Sequence, residues 1–104
     1  MSARKLTAKI TGVGKALPER RLTNADLEKR VDTNDAWITQ RVGIRERRIA
    51  AEGEYTSDLA IRAARDALAL AGLKPEQLDL ILVGTSTPDM IYPSVACQVQ
   101  KALG

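Results

Sequence analysis

Residues 56–87 constrain the fold of this chain more than any other stretch. The segment TSDLAIRAARDALALAG opens with two residues able to cap a helix, Thr56 and Ser57, and continues with apolar residues at helical spacing. Gly72 stops it, and Pro75 stands just beyond. LDLILVGTST, Leu78 to Thr87, follows with the apolar run LILV between polar residues, the pattern of a buried, parallel strand. Upstream, LTAKITGVGKALP, Leu6 to Pro18, first alternates apolar and polar residues and then carries Gly12 and Gly14. It reads as a strand whose glycines let another backbone approach closely, ended by Pro18. A long helix between two such strands makes a right-handed crossover unit.

Shorter elements fill the interval. Thr23-Asn24-Ala25-Asp26 forms a capping-box start, with Asp in the usual place of Glu, for a helix from Asn24 to about Val31. Thr33 is expected to cap a second helix, Asn34 to about Arg41, with Asp35 at the positive end of its dipole and Gly43 at its close. Ile44 to Ala51 reads as extended or irregular and strongly basic. Pro93 suits the first turn of a last helix, Ser94 to Leu103, ending at Gly104. The β-α-α-β-α order predicts an α/β fold with a mixed, largely parallel sheet. No repeat, low-complexity tract or linker-like run divides residues 1–104, so one domain without an internal boundary is expected. An α/β fold normally supplies a strand after such a helix, so the fold reads as incomplete at its C-terminal end.

Composition supports that reading. Of 104 residues 44% are hydrophobic but only 3% aromatic, with no phenylalanine, so much of the core-forming material is alanine. A chain of this size buries about 60–65% of its unfolded surface, and alanine contributes little area to it. The thin core expects further protein to pack against. Charge is uneven: twelve Lys/Arg face six Asp/Glu up to Ala50, and four face seven thereafter. The basic first half suits a phosphate-bearing or acidic partner, or is simply a solvated surface. One cysteine and no histidine exclude an internal disulfide, a Cys-rich metal site and any Cys-His pair within the chain. No apolar run approaches the ~20 residues of a membrane span, and no apolar signal core opens the sequence, which leads to an expected cytoplasmic setting.

The only tryptophan, Trp37, lies in the polar stretch VDTNDAWITQRVGIRERRIA. On a helix, Thr33, Trp37 and Arg41 are four residues apart and share a face, whereas Ile38 and Val42 form an apolar pair about 100° away. One reading docks the helix through Ile38 and Val42 and leaves an indole, a guanidinium and a hydroxyl as a receptor for a nucleotide. Stacking on the base contributes roughly 1–3 kcal/mol, and arginine takes phosphate oxygens. The other reading makes Trp37 a half-buried packing residue with Arg41 stacked on it as a surface cation.

Four stretches in order resemble the N-terminal portion of the β-ketoacyl-acyl-carrier-protein synthase III family, which are thiolase-fold condensing enzymes. They are ITGVGKALPERRLTNADLEKRVDTNDAWITQRVGIRERRIA, the helix ending LALAGL, LDLILVGTSTPD and YPSVACQVQKALG. TNADLE, DTNDAWI, GIRERR and PSVACQVQ at matching separations carry the resemblance jointly. It implies the N-terminal part of a thiolase-like fold and an acyltransferase that starts fatty-acid synthesis. Such enzymes load an acyl group from acyl-CoA, usually acetyl-CoA, onto a cysteine and condense it with malonyl-acyl-carrier protein, losing carbon dioxide. The family tryptophan stacks on the CoA adenine, with threonine and arginine nearby; here these positions are Thr33, Trp37 and Arg41. CoA thioester is then a substrate, with no separate cofactor and no metal.

The family's cysteine, histidine and asparagine have no counterparts here. The resemblance places all three beyond Gly104, so this chain alone is expected to be inactive. Cys97 falls mid-helix and reads as a buried structural thiol, while Asn24 and Asn34 mark helix starts. Tyr92 matches a family position that reaches across a homodimer interface into the partner's acyl pocket, or is a surface tyrosine. The resemblance also implies acyl carrier protein as a partner, and neither nucleic acid nor membrane. GIRERRI is expected to support the fold and its surface charge, and its basic residues could favour CoA phosphates or the acidic carrier protein. Two alternatives remain: a related acyl-CoA-dependent condensing enzyme or acyltransferase of secondary metabolism, and a stand-alone nucleotide- or nucleic-acid-binding module. The near absence of interleaved aromatics disfavours the latter.

Overall fold

A computed structural model describes residues 5–104. The chain forms two compact units, one comprising Leu17–Tyr55 and the other the described residues up to Ala16 together with Thr56–Gly104.

The Leu17–Tyr55 unit is built from strand β1 (Arg20–Thr23), helix α1 (Asn24–Glu28), helix α2 (Asp35–Val42) and strand β2 (Glu46–Ile49). β1 and β2 pair antiparallel, Arg20 opposite Ile49 and Thr23 opposite Glu46. The register sets Arg21 directly across from Arg48, a like-charge pair that costs energy unless compensated. Glu46 compensates it. Its Oε1 lies 3.3 Å from Arg21 Nη1 and 3.8 Å from Arg48 Nε. Arg48 also donates to the Pro18 carbonyl at 2.8 Å.

The capping box expected at Thr23 is present. The Thr23 hydroxyl accepts from the Asp26 N–H, and Asp26 Oδ2 accepts from the Thr23 N–H at 3.1 Å. These bonds from Thr23 hold the Asp26 carboxyl below its ordinary value of 3.8. Helix α1 is shorter than expected: it ends at Glu28, and the Arg30 and Val31 N–H groups both turn back to the Leu27 carbonyl. At α2 the cap is Asn34, not Thr33; its side chain accepts from the Trp37 N–H at 2.8 Å. Both residue types can cap; the helix starts at Asp35, one residue later than expected, which puts Asn34, with extended backbone (φ −151°, ψ 161°), in the capping position. Gly43 closes α2 at φ 71°, in the left-handed region, and its N–H donates to the Thr39 carbonyl.

The other unit contains helix α3 (Thr56–Ala71), a 3₁₀ turn at Pro75–Gln77 and helix α4 (Val95–Leu103). α3 ends where the sequence placed its stop, the Leu73 N–H reaching back to the Leu68 carbonyl at 3.0 Å. Its start is capped from far along the chain. Asp89 Oδ1 accepts the Ser57 N–H at 2.9 Å, the buried Ser57 hydroxyl donates to Asp89 Oδ2, and the Thr56 hydroxyl donates to the Thr87 carbonyl at 2.6 Å. The Ser57 hydroxyl, chiefly, holds the Asp89 carboxyl below 3.8. α4 is capped by Ser94, whose side chain accepts from the Cys97 N–H, so Pro93 stands just outside the helix rather than in its first turn. Val95 and Val99, one turn apart, are buried, and Arg65 of α3 donates to the Ala102 carbonyl at 3.1 Å.

The glycine-bearing segment lies along α3 as its sequence implied. A Cβ added to Gly14 would stand 2.6 Å from the Ala67 nitrogen and closer still to the Ala63 carbonyl oxygen. One added to Gly12 would stand 2.9 Å from the Ala71 Cβ and closer to the Ala67 carbonyl oxygen. Only hydrogen fits at either position, because the backbone of α3 itself comes this close.

The expected sheet is not formed. Neither Leu6–Pro18 nor Leu78–Thr87 is a strand, and the only sheet among the described residues is the two-stranded, antiparallel β1–β2. A strand is defined by its hydrogen-bonded neighbour, and these two segments have none; Leu80 and Leu82 are 72% and 83% exposed. Cys97 also departs from expectation, being exposed rather than buried. Val95 and Val99 occupy the inward seam of α4, and a residue two positions from each points well away from it.

Candidate functional site

Helix α2 carries the site. Its eight residues bury one apolar side chain, Ile38, while Val42 is 61% exposed, so of the expected docking pair only Ile38 docks. The ring of Trp37 is left half out in solvent, 53% exposed, with the Arg41 guanidinium carbon 4.7 Å from its centroid. That distance is within the range of cation–π attraction. A single helical turn sets this pairing. Thr33 stands before the helix and is only partly exposed. Asp32, Thr33, Asn34 and Trp37 line a cavity of about 260 Å³. Thr33 and Trp37 thus share one concavity, and Arg41 covers the ring of Trp37.

The neighbourhood is polar and open. The Asn34 side chain is engaged by the Trp37 N–H, and the Thr39 hydroxyl donates to Asp35 Oδ1 at 3.3 Å. Such a site offers a flat apolar face, a hydroxyl and a cation, the chemistry that a nucleotide's base and phosphates require. It offers no cysteine and no histidine. Tyr92 belongs to the other unit, where it is 89% exposed beside Ile91, itself 94% exposed. Among the described residues no group of three His, Cys, Asp or Glu side chains could hold a metal ion, and no helix is long and apolar enough to cross a membrane.

The residue that sequence reasoning missed is Asn24. Read as a helix start, it is 2% exposed and the most completely buried polar group described. Its Nδ2 donates to Asp35 Oδ1 at 2.7 Å and to the Ile44 carbonyl at 2.8 Å, and its Oδ1 accepts from Arg47 Nη1 at 2.8 Å. Its backbone N–H donates to the Arg45 carbonyl at 3.2 Å. The first residue of α1 therefore joins α1, α2 and β2. All of these partners lie 11 or more residues away, so no local pattern announces them.

Similarity to known proteins runs through the whole chain. β-Ketoacyl-[acyl-carrier-protein] synthase III of Thiobacillus denitrificans is 62% identical over 97 residues, which cover 93% of this chain and 30% of that protein. The crystal structure of 3-oxoacyl-[acyl-carrier-protein] synthase III from Aquifex aeolicus superposes with a TM-score of 0.84 at 56% identity, over 91% of this chain and 30% of that one. The priming β-ketosynthase of the R1128 polyketide biosynthetic pathway gives the same TM-score, 0.84, at 34% identity, over 92% of this chain and 29% of that one. No protein-family profile matches the chain. The chain spans about 30% of the length of the curated relatives it matches.

Proposed function

From the chain's membership of the β-ketoacyl-[acyl-carrier-protein] synthase III family over the span it covers, we propose that it forms the N-terminal, CoA-holding part of a decarboxylative condensing enzyme. The complete enzyme takes an acyl group from acyl-CoA, acetyl-CoA in the first instance, and joins it to malonyl-acyl-carrier protein. Acyl-CoA and acyl carrier protein are its partners, it works as a cytoplasmic homodimer, and it needs neither a metal nor a cofactor beyond the CoA thioester. Thr33, Trp37 and Arg41 receive the adenine nucleotide of CoA. Tyr92 enters the acyl pocket of the partner subunit and limits the length of primer accepted.

One observation supports the CoA assignment above the rest: the half-exposed Trp37 ring carries the Arg41 guanidinium on it at 4.7 Å and opens on a cavity shared with Thr33. The base stacks on the ring while the guanidinium meets a phosphate. The chemistry of condensation needs more than this chain holds. It has no histidine, and its single thiol, Cys97, is exposed on α4 with the Ser94 hydroxyl 3.3 Å away, without an acid–base partner.

Titration of Trp37 fluorescence with coenzyme A tests the site. Saturable quenching is the expected result, and an unquenched, folded chain would sink the stacking assignment. The likeness to the R1128 priming β-ketosynthase favours a second reading, a condensing enzyme of polyketide synthesis, which uses the same CoA site with a different primer. Comparing acetyl-CoA with longer acyl-CoA primers in the complete enzyme separates the two.

A further inference from the structure

Helix α2 is short, buries one apolar side chain and yet presents Trp37 and Arg41, the pair proposed above to receive coenzyme A. Apolar packing through Ile38 alone leaves the helix free to pivot about that contact. Polar pins at both ends remove this freedom, and they come from one amide. Asn24 Nδ2 donates forward to Asp35, the first residue of α2, and to the carbonyl of Ile44, two residues past its last. Arg47 of β2 holds the amide the right way round by donating to its oxygen. A flipped amide would put its oxygen against Asp35 and Ile44. Glu28, from α1, takes the Asp35 N–H at 2.7 Å and secures the same helix start.

We propose that Asn24 is the positioning residue of the nucleotide site, fixing the tilt of α2 against β2 and so the direction in which Trp37 and Arg41 face. The proposal rests on the CoA reading for its ligand, but the geometry it asserts exists without one. Asn24 does not reach the ligand; it acts by keeping α2 in one orientation. If that orientation is populated only a fraction of the time, the apparent dissociation constant rises by the inverse of the fraction.

Asn24→Asp keeps the acceptor for Arg47 and replaces the donor with an oxygen facing Asp35 and the Ile44 carbonyl. Asp35→Ala, at an exposed carboxylate, removes the forward pin, and with it the acceptor of the exposed Thr39 hydroxyl, and leaves the buried amide in place. Asp26→Asn is the control: it weakens the α1 capping box and leaves both pins. Coenzyme A affinity, read from Trp37 fluorescence of the 104-residue chain, is expected to fall about tenfold or more in Asn24→Asp, less in Asp35→Ala, and to stay unchanged in Asp26→Asn. Residual dipolar couplings of the α2 amides against those of β1 and β2, measured without ligand, are expected to change in Asn24→Asp and Asp35→Ala only. Unchanged couplings in Asp35→Ala would overturn the proposal whatever the titrations show. Failure of the unaltered chain to bind coenzyme A, with the couplings changed as expected, would overturn the CoA reading and leave the positioning role standing.

Discussion

Asp89 Oδ1 accepts the backbone N–H of Ser57 at 2.9 Å, so the first turn of α3 is capped by a side chain 32 residues further along the chain. The bond ties the loop before α4 to the start of α3, a connection no local capping pattern supplies. Removing it with Asp89→Ala leaves the buried Ser57 hydroxyl and an N-terminal N–H without their acceptor. The melting temperature is expected to fall, measured by circular dichroism, and more than for Ala at neighbouring exposed Thr85.

Acid should act through the same carboxylates. Hydrogen bonds from Ser57 to Asp89 and from Thr23 to Asp26 hold both groups below their ordinary value of 3.8. A carboxyl depressed on folding contributes stability that is present above its unfolded value and lost as pH falls through its folded value. Thermal stability is therefore expected to decline below pH 3.8. Asp89→Asn, which cannot ionise, should flatten part of that decline; an acid limb identical to that of the unaltered chain would contradict the capping role.

The close approach of the glycine segment to α3 predicts a position-dependent penalty. Gly14→Ala places a methyl 2.6 Å from the Ala67 nitrogen and closer still to the Ala63 carbonyl oxygen, both backbone atoms of α3. Overpacking of this kind costs typically about 1–3 kcal/mol. Gly84→Ala meets nothing within 4 Å and is expected to change stability by less than about 0.5 kcal/mol. Urea unfolding of the two variants provides the comparison.

Trp37→Ala should separate binding from stability. Half of the ring is already in solvent, so unfolding free energy is expected to move by no more than about 1 kcal/mol. Coenzyme A affinity, measured by calorimetry since the fluorophore is gone, is expected to weaken by about 1–3 kcal/mol. Arg41→Ala should weaken it as well, with a loss that shrinks as salt is raised.

Cys97 offers a direct check on its exposure. A thiol reagent is expected to label it stoichiometrically in the folded chain without denaturant. Labelling that waits for unfolding would return it to the buried role its sequence context suggested.

Local chemistry was well legible in the sequence. The Thr23 capping box, the Gly43 and Gly72 helix ends, and the need for glycine at 12 and 14 all depend on residues close in sequence or on a missing side chain, and all are present. The face shared by Trp37 and Arg41 follows from helical spacing alone. Elements defined by distant partners were only partly legible. The extended reading of Ile44 to Ala51 holds at β2, but β1 was not foreseen; RRLT and ERRI lack apolar alternation and are strands because they pair with each other. Leu78–Thr87 has the composition of a buried strand, but no neighbour bonds to it. Asn24 was legible as a helix start and illegible as a hub, since its acceptors and donor come from Asp35, Ile44 and Arg47.

The contact of Gly12 and Gly14 with Ala63, Ala67 and Ala71 also governs how this sequence can change over time. Neither glycine has room to grow while the backbone of α3 stays where it is. A larger residue at Gly14 requires α3 to withdraw, and withdrawal breaks the fit at Gly12 one step along. Drift at the two glycines is therefore concerted: related sequences should vary at 12 and 14 together or not at all, while open Gly84 varies alone.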